Sequence, residues 1–200
     1  KNIWMIQIDS PSLRGLINWP EDVSNSNPVI ADLGYIDVNK FNYVSKPYES
    51  PSINLKARKV KISDFYLDNL IIVVRPTSDS LLFDKFSFKN NHLAMSATGK
   101  WSLSNDKETS VFDAKFVSNN FGDALKGLGY KNLVKKGKMT SQIKGAWKGS
   151  PAKFSFSKLK GSLNIDVKDG EILQVTKQTK AIGQLLGLFS VSALPKRLTL

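Results

Sequence analysis

The stretch that decides the fold is "LAMSATGKWSLSNDKETSVFDAKFVS", Leu93 to Ser118. Leu93, Met95, Ala97, Gly99 and Trp101 fall on one side of a period-two pattern, with Ala94, Ser96, Thr98 and Lys100 on the other. Such alternation marks a strand with one buried face. The residues "SNDKE" are turn chemistry. After them Phe112, Ala114 and Phe116 again share a side, facing away from Val111. The stretch therefore reads as an antiparallel hairpin with one apolar face.

The same pattern extends outward. Val60 and Ile62 precede the run "LDNLIIVV"; Phe86 and Phe88, Ile143 to Trp147, and Phe154 and Phe156 follow. Leu163, Ile165 and Val167 then alternate with Ser162, Asn164, Asp166 and Lys168. The turn signals "RPTSDS", "KNNH", "KKGK", "GSP" and "KDG" separate them. A strand every ~10–15 residues is the rhythm of a meander. Residues 60–173 are thus expected to form an antiparallel β-meander. Residues 1–59 read as irregular strands and loops, because Pro20, Pro28, Pro47 and Pro51 interrupt the pattern; long loops or edge strands are expected between 20 and 59.

Two segments switch to helical period. In "NNFGDALKGLGY", Asn119 or Asn120 can cap, Phe121, Leu125 and Leu128 recur at i, i+4 and i+7, and Gly127 or Gly129 can end the helix, giving a short helix near 120–128. Further on, Val175, Ile182, Leu185, Leu186 and Phe189 make one stripe, and Pro195 marks its far limit, predicting an amphipathic helix over 174–194. The fold class expected is mainly β: an antiparallel sheet with one short helix and one C-terminal amphipathic helix.

Two of the four tryptophans directly follow a Gly-x step, in "TGKW" (Gly99, Trp101) and "KGAW" (Gly145, Trp147). Each step ends an alternating strand. Glycine there permits close backbone approach, and an indole on the same face two residues later covers the gap.

Little points to chemistry. The absence of cysteine removes disulfides, thiolate metal sites and cysteine nucleophiles. The single histidine, His92, sits in the turn-like "KNNHL" without catalytic partners. Asp64 with Asp68, and Asp166, Asp169 and Glu171, read as polar-face and turn residues rather than an acid pair or a cation site. No phosphate-cradling glycine loop occurs. The expectation is a protein that is not an enzyme, with no cofactor and no metal site.

Lys and Arg total 29 against 17 acidic residues, a net charge of +12. The excess is spread along the chain and is nearly all lysine, which fits a solvated surface or contact with anionic lipid better than the arginine forks of nucleic-acid readers. Nucleic acid is not an expected partner. No apolar run is long enough to span a bilayer as a helix. The chain opens at Lys1, not at an initiator methionine, and runs at once into "IWMIQI", so it is read as a fragment of a longer polypeptide.

From Gly127 to Leu200 a pattern emerges: an L-x-x-x-G-Y step, W-x-G-x-P at Trp147, Gly149 and Pro151, F-x-x-x-x-L-x-G-x-L, a turn with G-x-I-x-x-V, then "LLGL" and the basic "KRL". Upstream, "LRGLINWP" places Gly15, Ile17 and Pro20 in a G-x-I-x-x-P strand, and "ATGKW" supplies a G-x-W strand. This resembles the C-terminal part of the YhdP family, within the AsmA-like group that includes TamB.

The resemblance implies a repeating β-groove, a curled sheet with an apolar channel and a polar outer face. It also implies a location in the periplasm of a double-membrane bacterium, anchored to the inner membrane by a segment outside this chain, and a role in carrying phospholipid between the inner and outer membranes. The groove lining would be Leu93, Met95, Trp101, Phe112, Phe116, Trp147, Phe154, Phe156, Leu163 and Ile165. The stripe Val175, Ile182, Leu185, Leu186 and Phe189 would pack on the sheet or touch a membrane surface or another envelope protein. The alternative implied by TamB is a scaffold for outer-membrane proteins that pairs with client strands at a sheet edge. Periodicity alone leaves two options open: the apolar faces close into a core, or they line an open groove.

Overall fold

The computed structural model describes residues 2–40, 46–62, 65–127, 134–154 and 156–173. Ten strands form one open, curled sheet in which each strand neighbours the one before it in sequence. They are β1 (Ile3–Asp9), β2 (Leu13–Pro20), β3 (Val29–Asp37), β4 (Ile53–Ile62), β5 (Phe65–Pro76), β6 (Ser80–Lys89), β7 (Ala94–Ser104), β8 (Lys107–Ser118), β9 (Val134–Lys148) and β10 (Lys160–Ile172). The mainly β fold expected from alternation is the fold observed. A short helix, α1 (Phe121–Gly127), joins β8 to β9 and packs against β9. Asn120 caps it: its Oδ1 accepts from the Asp123 N–H at 3.2 Å and its carbonyl from the Ala124 N–H. The amphipathic helix expected over 174–194 lies outside the described residues.

The proline-rich region departs from its expectation. Four strands occupy much of residues 1–62, and β3 is an interior strand rather than an edge or a loop. The prolines fall beside the strands instead of within them: Pro20 ends β2, Pro28 precedes β3, and Pro47 and Pro51 lie between β3 and β4. β3 and β4 run parallel, alone among the neighbouring pairs, and a parallel pair requires a crossover. The described parts of that crossover include two 3-10 turns, Val38–Lys40 and Pro47–Glu49. Val38 packs against the apolar face around Leu33 and Val60, while the second turn lies against β5, β6 and β7 with Pro47 fully buried.

Irregularities in the ladder keep one face apolar. β6 carries Leu81 and Phe83 in one phase and Phe86 and Phe88 in the other, so a regular strand would put two of them in solvent. The register slips between Phe83 and Phe86, and all four side chains reach the same face. Further slips fall at Arg14/Gly15 and Val73/Val74. Each slip adds local twist and bend, which curls the sheet.

The apolar face divides into two regions. Under the crossover, Ala31, Leu33, Ala57, Val60 and Leu70 form one buried cluster and Val74, Leu81 and Trp101 another. Beyond it, from β6 to β9, the face is open.

Candidate functional site

The open part of the apolar face is built on two rungs that cross β7, β8 and β9. In one, Gly99, Phe112 and Gly145 stand side by side; in the next, Trp101, Ser110 and Trp147. The two Gly-x-Trp strands thus flank β8 symmetrically. The glycines make room: a Cβ on Gly99 would overlap the Phe112 ring, and one on Gly145 would overlap the Leu159 side chain. Ser110, fully buried between the two indoles, donates to the Gly149 carbonyl at 2.8 Å. The Trp147 indole N–H donates to the Ser150 carbonyl at 3.0 Å.

The segment after β9 turns back over this face. Gly149, at φ +103°, redirects the chain and bonds through its N–H to the Glu108 carbonyl; Pro151 then opens a 3-10 turn, Pro151–Lys153, and a second follows at Phe156–Lys158. The strand expected through Phe154 and Phe156 is therefore absent, because a proline that lacks an N–H beside a positive-φ glycine takes the backbone out of the ladder. Phe154 meets Trp147 edge-on at 5.1 Å between ring centres, Trp147 stacks on Phe112 at 5.4 Å, and Phe112 meets Phe83 at 5.1 Å. Four rings form a continuous row.

Beside this row lies a cavity of about 260 Å³ walled by Phe86, Met95, Ala97, Phe112, Ala114, Phe116, Ile143, Gly145, Trp147, Pro151, Phe154 and Leu159. Among the described residues no charged side chain lines it. The volume is a little below the ~300–1,000 Å³ of typical small-molecule sites, which suits a length of hydrocarbon chain better than a whole amphiphile.

The expected lining residues separate accordingly. Met95, Phe112, Phe116, Trp147 and Phe154 line the cavity. Trp101 is instead packed with Val74 and Leu81 in the closed region, at 4% exposure. Leu93 belongs to the turn before β7, its N–H bonded to Asn90 Oδ1 at 2.8 Å. Leu163 and Ile165, half-buried on β10, stand opposite Ile143 and Ser141 and continue the face past the cavity wall. Phe156 lies in the second 3-10 turn, and the stripe Val175, Ile182, Leu185, Leu186 and Phe189 lies outside the described residues. Sequence reasoning missed Leu159 and Pro151 as wall residues, although the motifs W-x-G-x-P and F-x-x-x-x-L contained both.

Charge is kept to the other face and the rims. Asp113 accepts from Gln142 Nε2 at 2.9 Å and lies 3.4 Å from Lys144; the Gln142 hydrogen bond, with Lys144 behind it, holds its carboxyl below the ordinary carboxylate range despite some burial. The Arg75 guanidinium, forked onto Asp84, lowers that carboxyl likewise. Among the described residues no three His, Cys, Asp or Glu side chains come together to hold a metal, and no helix is long and apolar enough to cross a membrane.

Comparison with protein families matches the one described as YhdP protein over residues 1–200. The chain belongs to the YhdP family. The AsmA-like grouping expected from the motifs is consistent with this match. Neither a curated protein nor a solved structure matches the chain. In YhdP-family terms, the W-x-G-x-P motif is the corner where the chain leaves β9, and the G-x-W motif of β7 places Gly99 beneath Phe112.

Proposed function

We propose that this YhdP-family chain is a periplasmic groove segment that conducts phospholipid between the inner and outer membranes by holding acyl chains against its apolar face. The observation that carries the reading is the open cavity whose wall, from Phe86 to Leu159, is entirely apolar. Hydrocarbon leaving water for such a wall gains about 0.8 kcal/mol per CH₂. Transfer along the sheet needs no bond-making, only similar affinity from one position to the next, while headgroups stay in water at the rim. Anchoring to the inner membrane is assigned to a segment outside this chain.

The test is mass spectrometry of lipid extracted from the purified chain, alongside Ala114→Trp, which fills the cavity with apolar bulk. Phospholipid carried by the native chain and lost from a variant with unchanged circular dichroism is the expected result. A lipid-free native chain overturns the reading.

A second reading, a TamB-like scaffold for client strands, draws on β1. Ile3, Trp4, Met5 and Ile6 of this edge strand are 57%, 67%, 73% and 42% exposed, and one side of the strand has no neighbour among the described residues. Strand addition uses such an edge. Crosslinking from β1 to an outer-membrane protein, with no lipid bound, would favour it.

A further inference from the structure

We propose that the cavity beside the aromatic row is a site for a single hydrocarbon chain of about ten carbons, one tail of an amphiphile, with the second tail and the headgroup left outside. The proposal rests on the lipid reading above and names the part of the lipid that this segment recognises. The shape of the recess follows from the strand register. Ala97 and Ala114 stand opposite each other on β7 and β8 and form its floor. Phe86 and Ile143, next along the same rung on β6 and β9, stand on either side of them. Two residues along the strands the neighbours are large again, Met95 and Phe116 in one direction and Phe112 in the other. The smallest side chains thus lie in the middle of a ring of large ones, and the segment that turns back after β9 adds its own apolar side chains to the wall.

An engineered apolar cavity of about 150 Å³ stays dry and holds benzene, which sets a scale of about 25 Å³ per carbon. On that scale a volume of about 260 Å³ takes about ten carbons. That is part of one membrane-lipid tail and far short of two. The described lining also gives a headgroup nothing to bind. It is wholly apolar, and the indole N–H of Trp147 already donates to the Ser150 carbonyl at 3.0 Å. A headgroup drawn inside would give up its hydrogen bonds to water and find none in return. Affinity is therefore set by how much of one tail fits, and it grows with tail length only until the recess is full.

The experiment is calorimetry with alkylphosphocholines, one headgroup on one straight chain, from about six to about sixteen carbons so as to bracket that scale, each below its micelle threshold. Each added methylene is expected to tighten binding about fourfold, the equivalent of about 0.8 kcal/mol, up to about ten carbons, and less than about twofold beyond. Ala114→Leu fills the floor and should bring the break to about seven carbons; Leu159→Ala widens the wall and should take it to about thirteen, because the two side chains differ by three carbons. Thr98→Leu, at an exposed site on the polar face, leaves the break where it is. Dihexanoylphosphatidylcholine, with two short tails, should bind like the hexyl compound and not like the dodecyl one. If Ala114→Leu does not fold, Leu159→Ala carries the test, since that side chain is only half-buried. An unbroken gain up to the longest chain, a break that stays in place in the folded variants, dihexanoyl binding at the dodecyl level, or no binding across the series overturns the single-chain site. Each of these leaves the lipid reading standing where phospholipid is extracted from the native chain. A native chain that carries no lipid and binds none of the series overturns both.

Discussion

The ring of Phe112 fills the space above Gly99 that a Cβ would occupy, and the two residues stand opposite each other on β8 and β7. Gly99→Ala therefore forces the ring aside, at the ~1–3 kcal/mol typical of overpacking. Shortening the ring in Phe112→Leu leaves room for the new methyl. The double variant should then be less destabilised than the sum of the singles, read by urea unfolding as a double-mutant cycle. Strict additivity would mean that the two side chains do not compete for this space.

The twin indoles differ in one respect that a conservative change exposes. Trp147 donates to Ser150, whereas the buried Trp101 Nε1 has no hydrogen-bond partner among the described residues. Replacing either by Phe removes similar bulk, but in Trp147→Phe a hydrogen bond is lost and in Trp101→Phe an unsatisfied buried donor disappears. Trp147→Phe is expected to cost about 1 kcal/mol more than Trp101→Phe in denaturant unfolding. Equal costs would show that the Trp101 N–H is satisfied in solution.

The contrast between these two residues also shows how far the sequence was legible. Alternation placed Met95, Phe112, Phe116 and Trp147 on one face, and the cavity wall contains all four. Alternation is a local property, so it could not tell Trp101, closed over with Val74 and Leu81, from Trp147, open beside the cavity. That difference arises from the crossover between β3 and β4, a long-range feature. It failed as well wherever the period itself shifts. Phe83 and Phe86 share a face only through the slip between them, and Phe154 left its strand because Gly149 and Pro151 end the ladder. The family motifs held the missing information at Leu159, since F-x-x-x-x-L gives the distance across a folded-back segment and not a position within a strand.

Acid should weaken the fold in part through Asp84. The hydrogen bonds from Arg75 lower its carboxyl below the ordinary range, against a smaller effect of burial. A folded pKa below the unfolded value means that the stabilisation is present above the ordinary carboxylate range and is lost as pH falls through the folded pKa. Asp84→Asn should therefore lower Tm at pH 7 and make little difference at pH 2. Both side chains are about two-fifths exposed, so the gap is expected to be small and to narrow with salt. A gap of the same size at both pH values would remove the ion pair from the account.

The exposed edge at β1 leads to a prediction about association. Met5 is the most exposed of its apolar residues, at 73%, and it lies opposite Asn18 on β2, so it buries little on folding. An unpaired strand with apolar side chains on both faces is a template for pairing with another strand, and natural edges blunt this tendency with lysine. The purified chain should therefore associate as its concentration rises, as seen by light scattering on a sizing column. Met5→Lys should shift it to the single-chain mass without lowering Tm, because the charge sits in solvent and removes no packing. Gln7, already polar on the same side of β1, serves as the control position: Gln7→Lys is expected to change association less. If Met5→Lys associates as the native chain does, the contact between copies lies elsewhere, and the strand-addition reading of β1 loses its support.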